Sequence, residues 1–210
     1  MPKPQPEVPI QAALDRLVDP PIRADARRNY DALLTAADEL FATNGPDVAL
    51  DEIARRAGVG NATLYRHFPD RRDLLVAVCV SEVKALCALG EHLDTDPDAG
   101  RALTGWLRAY IEHVSAKHGL AAAFATGRRE DSELVEACQA AVEAIGTALL
   151  QRAQKSGTVR TDVTLRDVIT LVNAIAMATE TTGADEADRM LAIVLSGIAQ
   201  PEGKRPPKTR

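Results

Sequence analysis

Apolar residues recur every three or four positions along most of this chain, which is the spacing of one face of an α-helix. The first such stripe predicts a helix over 25–43, ended by the run Asn44, Gly45 and Pro46. A second, shorter stripe predicts a helix over 50–57. Later stripes predict helices over 70–92, 103–114, 120–126, 134–153, 165–179 and 186–199. The pattern therefore predicts an all-α fold.

A helix-turn-helix is predicted directly after residue 50. Gly58 ends the first helix, and a second short helix is predicted over about 61–67. Two helices joined by a short turn that contains Gly form the unit that places its second helix in the DNA major groove. Leu64 and Phe68 lie one turn apart and are expected to face inward. The remaining face is polar, cationic and aromatic, as DNA binding requires: Asn61, Ala62, Tyr65, Arg66 and His67.

The residues after this segment predict the start of a further helix. Pro69 stops the short helix, and Asp70 with Asp73 three residues later is an acidic relative of a capping box. Arg71 and Arg72 follow at the new helix start, where arginine side chains can reach phosphate oxygens.

The run AGVGNATLYRHFPDRRDLL, residues 57–75, resembles the most recognisable segment of the TetR family of bacterial transcriptional repressors, and the resemblance covers about residues 25–80. In that family the Thr-Leu-Tyr-x-His-Phe run forms the recognition helix, which residues 63–68 match position for position. Arg66 occupies its variable position, where an arginine can make a bidentate contact with guanine. The DNA-binding residues predicted from pattern and resemblance together are Arg27, Arg28, Gly60, Asn61, Ala62, Thr63, Tyr65, Arg66, His67 and Arg71.

The resemblance also assigns roles within this set. It implies that Tyr65 and His67 approach the DNA backbone and that Arg71 touches a phosphate, with Arg72 a weaker candidate. Two departures are visible, because Ala49 and Gly60 stand where family members often have Ser or Thr as helix caps. Each departure removes a hydroxyl that could cap a helix and contact phosphate, so lower phosphate affinity is expected.

Composition and charge agree with this interpretation once charge is considered locally. The 210-residue chain has a net charge of −5 and an isoelectric point near 5.4, which by themselves argue against a nucleic-acid partner. Arg66, His67, Arg71 and Arg72 nevertheless cluster in one short stretch, and local distribution outweighs net charge. A core of aliphatic residues is expected, since 46% of residues are hydrophobic and only 3% aromatic.

Other functional classes find little support in the sequence. No nucleophile, acid–base pair, Gly-rich phosphate loop or metal-ligand spacing is present, so no enzyme, no cofactor and no metal are expected. The three cysteines form no Cys-x-x-Cys pair, which favours reduced thiols in a cytoplasmic protein. No apolar run approaches the roughly 18–20 residues of a membrane-spanning helix. A small helical enzyme or carrier, in which the helix-turn-helix is only a packing motif, is the alternative from another class.

The sequence predicts four regions: a disordered Pro-rich arm over 1–24, the DNA-binding domain over 25–72, a helical effector-binding and dimerisation domain over 73–200, and a disordered basic tail over 201–210. The last two helices are apolar on more than one face, so one face can pack on a second copy. The resemblance implies a homodimer through about 164–180 and 185–199, and an unidentified small-molecule effector bound among the middle helices. Candidate pocket residues are Cys87, Trp106, Tyr110, His113, Phe124, Asn173 and Met177.

Together these features predict a repressor that binds a palindromic operator as a homodimer and leaves it when an effector binds. A transcriptional activator, or a regulator that needs no effector, would use the same DNA-binding residues and remains the alternative.

Overall fold

The computed structural model describes residues 10–45, 47–124, 129–179 and 181–200, with side chains throughout except at 10, 11, 13 and 116–130. The predicted all-α class is confirmed, and an isolated antiparallel bridge joins Val159 to Ala199 within these ranges. The helices are α1 (Ile10–Asp15), α2 (Ala24–Asn44), α3 (Leu50–Ala57), α4 (Asn61–His67), α5 (Arg71–Leu93), α6 (Ala99–Phe124), α7 (Arg129–Lys155), α8 (Leu165–Ala178) and α9 (Ala184–Ile198).

Two expectations about the helices are corrected. The separate helices predicted over 103–114 and 120–126 are one continuous helix as far as Phe124, since α6 runs through the polar residues between them. The predicted disorder over 1–24 is wrong for Ile10–Asp15, because these residues form the helix α1. Leu14 of α1 is fully buried and Asp15 pairs with Lys84 at 2.5 Å, so tertiary contacts stabilise a helix too short to form alone. Residues 1–9 and the predicted tail over 201–210 lie outside the described residues.

The chain divides into two compact units. The first comprises the described residues of Met1–Lys84 and Lys117–Ala141, and the second those of Ala85–Ala116 and Val142–Arg210. The first unit contains the whole of the predicted DNA-binding domain, and its core forms where α2, α3 and α4 meet the start of α5. That core consists of Tyr30, Leu33, Ala36, Ala37, Phe41, Val48, Ile53, Ala54, Leu64, Phe68, Leu74, Leu75, Ala77 and Val78.

The second unit has an independent core that is built almost entirely from aliphatic side chains around Trp106. Thr164 begins α8 with a capping box, since its hydroxyl accepts from the Asp167 amide while the Asp167 carboxylate accepts from the Thr164 amide. Across the described residues, none of the helices is long and apolar enough to cross a membrane, and no cluster of His, Cys, Asp and Glu is suited to holding a metal ion.

Candidate DNA interface

The turn between α3 and α4 depends on one glycine. Gly58 has φ 67° and ψ 27°, which is the left-handed backbone conformation that residues other than Gly rarely adopt. Its amide donates to Arg55 O at 3.2 Å, and the Val59 amide donates to Ala54 O at 2.9 Å. These hydrogen bonds satisfy the last carbonyls of α3 and reverse the chain within three residues. The predicted helix-turn-helix is therefore present, with both helices at the predicted bounds.

The starts of α3 and α4 have no side-chain cap. Ala49 and Gly60 occupy the N-cap positions, and neither makes a side-chain hydrogen bond to the helix that follows. Asp51 and Glu52 lie in the first turn of α3, where carboxylates interact favourably with the helix dipole. The first turn of α4 carries no acidic residue, so its amides and positive dipole end are not offset by a local carboxylate.

Helix α4 has a buried side and an open side, as the sequence predicted. Leu64 is fully buried and Phe68, just after the helix, is 2% exposed. Tyr65 is 47% exposed although it adjoins Leu64, and Thr63 is half-buried. An Nη2 group of Arg66 lies 3.5 Å from the Thr63 hydroxyl, which it reaches along the open side. The exposed residues of α4 are Asn61, Ala62, Tyr65 and Arg66.

His67 has a different environment from Tyr65, although the family resemblance gives both the same role. Its ring is half-buried and lies 6.0 Å from the Tyr30 ring in an edge-on arrangement, and 6.3 Å from the Phe68 ring. Its Nε2 atom is buried without a hydrogen-bond partner. Burial, and secondly the charge of Arg66, lower the pKa of His67. The geometry thus joins His67 to the packing between α2 and α4.

The arginines predicted to contact phosphate differ in how they are held. Arg27 and Arg28 are exposed on the first turns of α2, where they pair with Asp31 and Asp25. Such surface pairs are weak and leave an arginine available to another anion. Arg71 is instead half-buried.

Two side chains at the start of α5 make contacts elsewhere in the first unit. Arg71 donates from Nη1 to the backbone oxygen of Val48 at 2.6 Å. Arg72, the weaker phosphate candidate, donates to the buried carboxylate of Asp131 in α7 at 2.6 and 3.0 Å. The predicted acidic capping box is also present, since Asp73 N donates to Asp70 Oδ1 at 2.9 Å and Asp70 N donates to Asp73 Oδ2 at 3.3 Å. The start of α5 is therefore held from several directions.

Four of the candidate pocket residues lie together in the second unit. The Trp106 and Tyr110 rings stack with centroids 5.7 Å apart, and the His113 ring lies 6.4 Å from that of Tyr110. The Tyr110 hydroxyl donates to Asn173 Oδ1 at 3.1 Å, which links α6 to α8. Trp106 is fully buried, and its indole N–H donates to Leu86 O at 3.3 Å. Trp106 is therefore part of the packed core.

The remaining pocket candidates do not join this group. Cys87 is buried in α5, and burial together with the charge of Glu91 raises the pKa of its thiol to about 11. Met177 is 63% exposed on α8. The side chain of Phe124 lies outside the described residues. Tyr110 and Asn173 thus form the main polar contact among the candidates whose side chains are described.

The family models that match the chain correspond to its two parts. Residues 33–78 match a family described as bacterial regulatory proteins, tetR family, and residues 98–200 match a C-terminal domain described as transcriptional regulator SbtR-like. An uncharacterized HTH-type transcriptional regulator of Mycobacterium bovis is 33% identical over 168 residues, which are 76% of this chain and 83% of that protein. The chain belongs to the TetR family of transcriptional regulators.

Two further proteins are similar to this chain. A TetR transcriptional regulator from Streptomyces coelicolor has a crystal structure with 32% sequence identity and a TM-score of 0.72, covering 82% of this chain and 99% of that one. The HTH-type transcriptional activator FasR of Mycolicibacterium smegmatis is 38% identical over 101 residues, which are 46% of this chain and 45% of that protein. TetR family members are DNA-binding regulators and not enzymes, in agreement with the prediction from sequence.

Sequence reasoning missed the contacts that two residues make with the helix-turn-helix or with the helix that follows it. Tyr30 belongs to the apolar stripe that predicts the helix over 25–43, but such a stripe does not indicate that its ring contacts His67 and Phe68. Asp131 lies in the charged run RED at the start of α7, which reads as a solvated helix start, yet it is 3% exposed. No signal in the sequence marks Asp131, because its partner lies 59 positions away.

Proposed function

We propose that this TetR-family protein is a transcriptional repressor that binds a palindromic operator as a homodimer and releases it when a small-molecule effector binds. The observation that carries the proposal is the open side of α4. Leu64 and Phe68 anchor the other side in the core, so Tyr65 and Arg66 are held outward on a rigid support. A helix presented in this way can enter the major groove without rearrangement.

The side chains around α4 suggest a division of roles. Arg66 is exposed on the open side and is proposed to read base edges, since an arginine can donate two hydrogen bonds to guanine. Asn61 and Ala62 begin the helix, at the end proposed to approach the bases. The uncapped start of α4 at Gly60 offers backbone amides to a phosphate. The proposed backbone contacts are Arg27, Arg28, Gly60, Thr63, Tyr65, His67 and Arg71.

A dimer through α8 and α9 would supply the second DNA-binding helix. Three large apolar side chains are exposed on these helices: Leu171 is 46%, Met177 63% and Ile193 61% exposed. A second copy packed on the same residues by two-fold symmetry would cover them. Two recognition helices about 34–36 Å apart enter successive major grooves together, which is why a palindrome is expected.

The effector is proposed to bind near the polar contact between Tyr110 and Asn173. This hydrogen bond and the His113 ring lie beside an otherwise aliphatic core, and few polar groups in an apolar setting are typical of small-molecule sites. Whatever the ligand, it can release DNA only through unequal affinity for the bound and unbound states, and such coupling is usually about 1–3 kcal/mol. Of the residues singled out in the sequence, Tyr110, His113 and Asn173 are the ones proposed to contact the effector.

Selection of genomic DNA fragments on the purified protein tests the DNA-binding role. The selected duplexes are then measured by fluorescence anisotropy over a range of salt concentrations, with Tyr65→Ala as the matched variant. A palindromic fragment that binds the wild type and is lost by the variant supports the proposal. If no fragment is selected over random DNA, operator recognition by this helix is contradicted.

The proposed dimer has its own test. Replacing an exposed apolar residue by a carboxylate, as in Ile193→Glu, would bury charge at the interface and is expected to shift a dimer to monomers in sedimentation velocity. The matched control is Val135→Glu, because Val135 is also exposed, at 41%, but lies on α7. A wild-type protein that sediments as a monomer, or an Ile193→Glu variant that remains dimeric, contradicts an interface at this position.

A transcriptional activator, or a regulator that acts without an effector, is the second candidate. The name of the relative FasR, an HTH-type transcriptional activator, favours keeping it. Both candidates would use the same α4 surface, so affinity for DNA cannot distinguish them. An operator that overlaps the promoter core supports a repressor. An operator upstream of the promoter supports an activator if transcription from that promoter is lost when the gene for this protein is deleted.

A further inference from the structure

The first turn of α5 is fixed by two arginines that reach in different directions. Arg71 is hydrogen-bonded to the carbonyl of Val48, two residues before α3. Arg72 donates both Nε, at 3.0 Å, and Nη2, at 2.6 Å, to the same oxygen of Asp131. The Asp131 side chain is 4% exposed and that of Arg72 29%, so this ion pair lies largely out of solvent. It joins α5 to the first turn of α7 inside the first unit.

Stability alone does not explain a buried ion pair at this position. Taking a carboxylate and a guanidinium out of water costs free energy that their attraction only partly offsets, and well-packed apolar residues often hold two helices together equally well. What this ion pair adds is direction, because Nε and Nη2 lie on one edge of the planar guanidinium and both reach the same oxygen of Asp131 only when that edge faces it. The pair therefore sets an orientation of α5 relative to α7.

The orientation of α5 is passed to α4 through a short connection. Three residues separate the end of α4 at His67 from the start of α5 at Arg71. The first of them, Phe68, is buried in the core, and the last, Asp70, is held by its reciprocal hydrogen bonds with Asp73. The connection is short and fixed at both ends, so a shift of the first turn of α5 must move α4.

We propose that Asp131 is a positioning residue for DNA binding, which acts through Arg72 to hold α4 in the orientation that reads the operator. The inference rests on the proposed function of α4 as the recognition helix. It assigns a role in DNA recognition to a residue of α7, far outside the helix-turn-helix. It also makes the start of α7 a place from which operator affinity can be tuned without contact to DNA.

The test compares Asp131→Asn with wild type on two duplexes of equal length, the genomic fragment that wild type selects and a random sequence. Loss of orientation is expected to weaken binding to the selected fragment about 2- to 30-fold. Binding to random DNA and the slope of log K against log salt should not change, since neither residue neutralises a phosphate in this account. Thermal unfolding followed by circular dichroism shows separately whether the variant is folded at the assay temperature.

Three companion variants make the test specific. Asp162→Asn removes a carboxylate from an exposed ion pair, in which Asp162 Oδ2 lies 2.6 Å from Arg160 Nη2. This variant should bind both duplexes as the wild type does. The double variant Arg72→Gln, Asp131→Asn should bind the selected fragment as tightly as whichever of its two single variants binds more weakly. The effects do not add, because both substitutions remove the same interaction. Arg72→Lys keeps the positive charge but replaces the planar pair of nitrogen donors by a single ammonium nitrogen, so it should also weaken specific binding. This variant carries the test if Asp131→Asn does not fold.

Two results would overturn the inference while leaving the proposed function intact. The first is that Asp131→Asn and Arg72→Lys both fold and bind the selected fragment with the affinity of the wild type. The ion pair would then contribute to stability alone and not to DNA binding. The other is tighter binding of Asp131→Asn to both duplexes with a salt slope steeper by about one unit, which would mean that Asp131 withholds Arg72 from phosphate. A wild-type protein that selects no fragment overturns the proposed function and this inference with it.

Discussion

Helix α4 in the first unit has seven residues and lies against a core with three aromatic rings, Tyr30, Phe41 and Phe68, and the His67 ring packs beside Tyr30. The second unit is built from longer helices around two stacked rings, those of Trp106 and Tyr110. A Cβ atom added at Gly146 would lie 2.8 Å from the Trp106 ring and 2.9 Å from Leu165 Cδ1, and one added at Gly90 would collide with Ile145. Trp106 thus fits only because two neighbouring helices carry no side chain at these points.

The difference between the two cores corresponds to a difference in what each unit exposes. A helix of seven residues is not stable alone in water, so α4 depends on Leu64 and Phe68 for its position. The residues of α4 on its open side do not contribute to that core and are therefore available to bind a partner. In the second unit a large buried ring and close helix packing leave little freedom around Trp106. Substitutions in either core and on the open side of α4 test this difference.

Trp106→Ala is expected to lower the free energy of unfolding by about 3–5 kcal/mol, because it leaves a cavity between closely packed helices. Urea unfolding followed by far-ultraviolet circular dichroism measures this loss. Trp106→Phe keeps a ring in the space and should lose less. A loss below about 1 kcal/mol for Trp106→Ala would mean that the indole occupies an adaptable space, as expected for a ligand pocket, and would contradict its assignment to the core.

Leu64→Ala and Tyr65→Ala separate packing from recognition at adjacent positions of α4. Leu64→Ala removes a fully buried side chain and is expected to lower the free energy of unfolding by about 2–5 kcal/mol. Tyr65→Ala alters an exposed side chain, so stability should stay within about 0.5 kcal/mol while affinity for the selected duplex falls. Urea unfolding and anisotropy measure the two quantities. Similar losses of stability for both variants would contradict the two-sided description of α4.

Arg66→Ala is expected to cost about 1–3 kcal/mol of operator binding and to relax the preference at the base it contacts. The control is Arg27→Ala, at a proposed phosphate contact that is exposed on α2, which should weaken binding to all sequences alike and flatten the salt slope by about one unit. Anisotropy on single-base variants of the selected duplex measures both. The assignment of Arg66 to base reading fails if the two variants lose affinity equally on every sequence.

His67 is expected to give the first unit a modest pH dependence. Burial, and then Arg66, lower the pKa of His67 from its ordinary 6.5, so the unfolded chain takes up this proton at higher pH than the folded chain. Stability from this group is therefore complete above about pH 6.5 and is lost as the pH falls towards the folded pKa. Urea midpoints measured at about pH 7.5 and pH 5.5 should differ less in His67→Gln than in wild type.

The matched control for His67 is His92→Gln, since His92 is exposed in α5. This variant should keep the wild-type difference between the two urea midpoints. An unchanged difference in His67→Gln would show that the proton taken up in this pH range belongs to another group.

Local features of the sequence predicted the helix-turn-helix closely. The bounds of α3 and α4 agree with prediction because Gly58 permits a left-handed turn and Leu64 and Phe68 repeat at helical spacing. The paired hydrogen bonds of Asp70 and Asp73 were also predictable, since the two residues lie three positions apart. In each case the interacting groups are near neighbours in the chain.

Features that depend on distant residues were not predictable. The helix α1 lies in a proline-rich segment and exists because Leu14 is buried and Asp15 meets Lys84, 69 positions away. His67 lies in a run typical of DNA contacts, yet its ring packs against Tyr30. The two predicted helices joined in α6 differ from prediction because backbone hydrogen bonds continue where the apolar pattern pauses.

Helical periodicity, turn glycines and a contiguous motif each lie within a few residues, so they were sufficient to predict the fold class, the family and the open side of α4. Three other features follow from tertiary packing: Trp106 is enclosed in the core, Arg72 is turned towards Asp131, and the Tyr30 ring packs against His67. Those outcomes depend on which helix faces meet in space. A periodic pattern specifies that a face is apolar but not which partner it will meet.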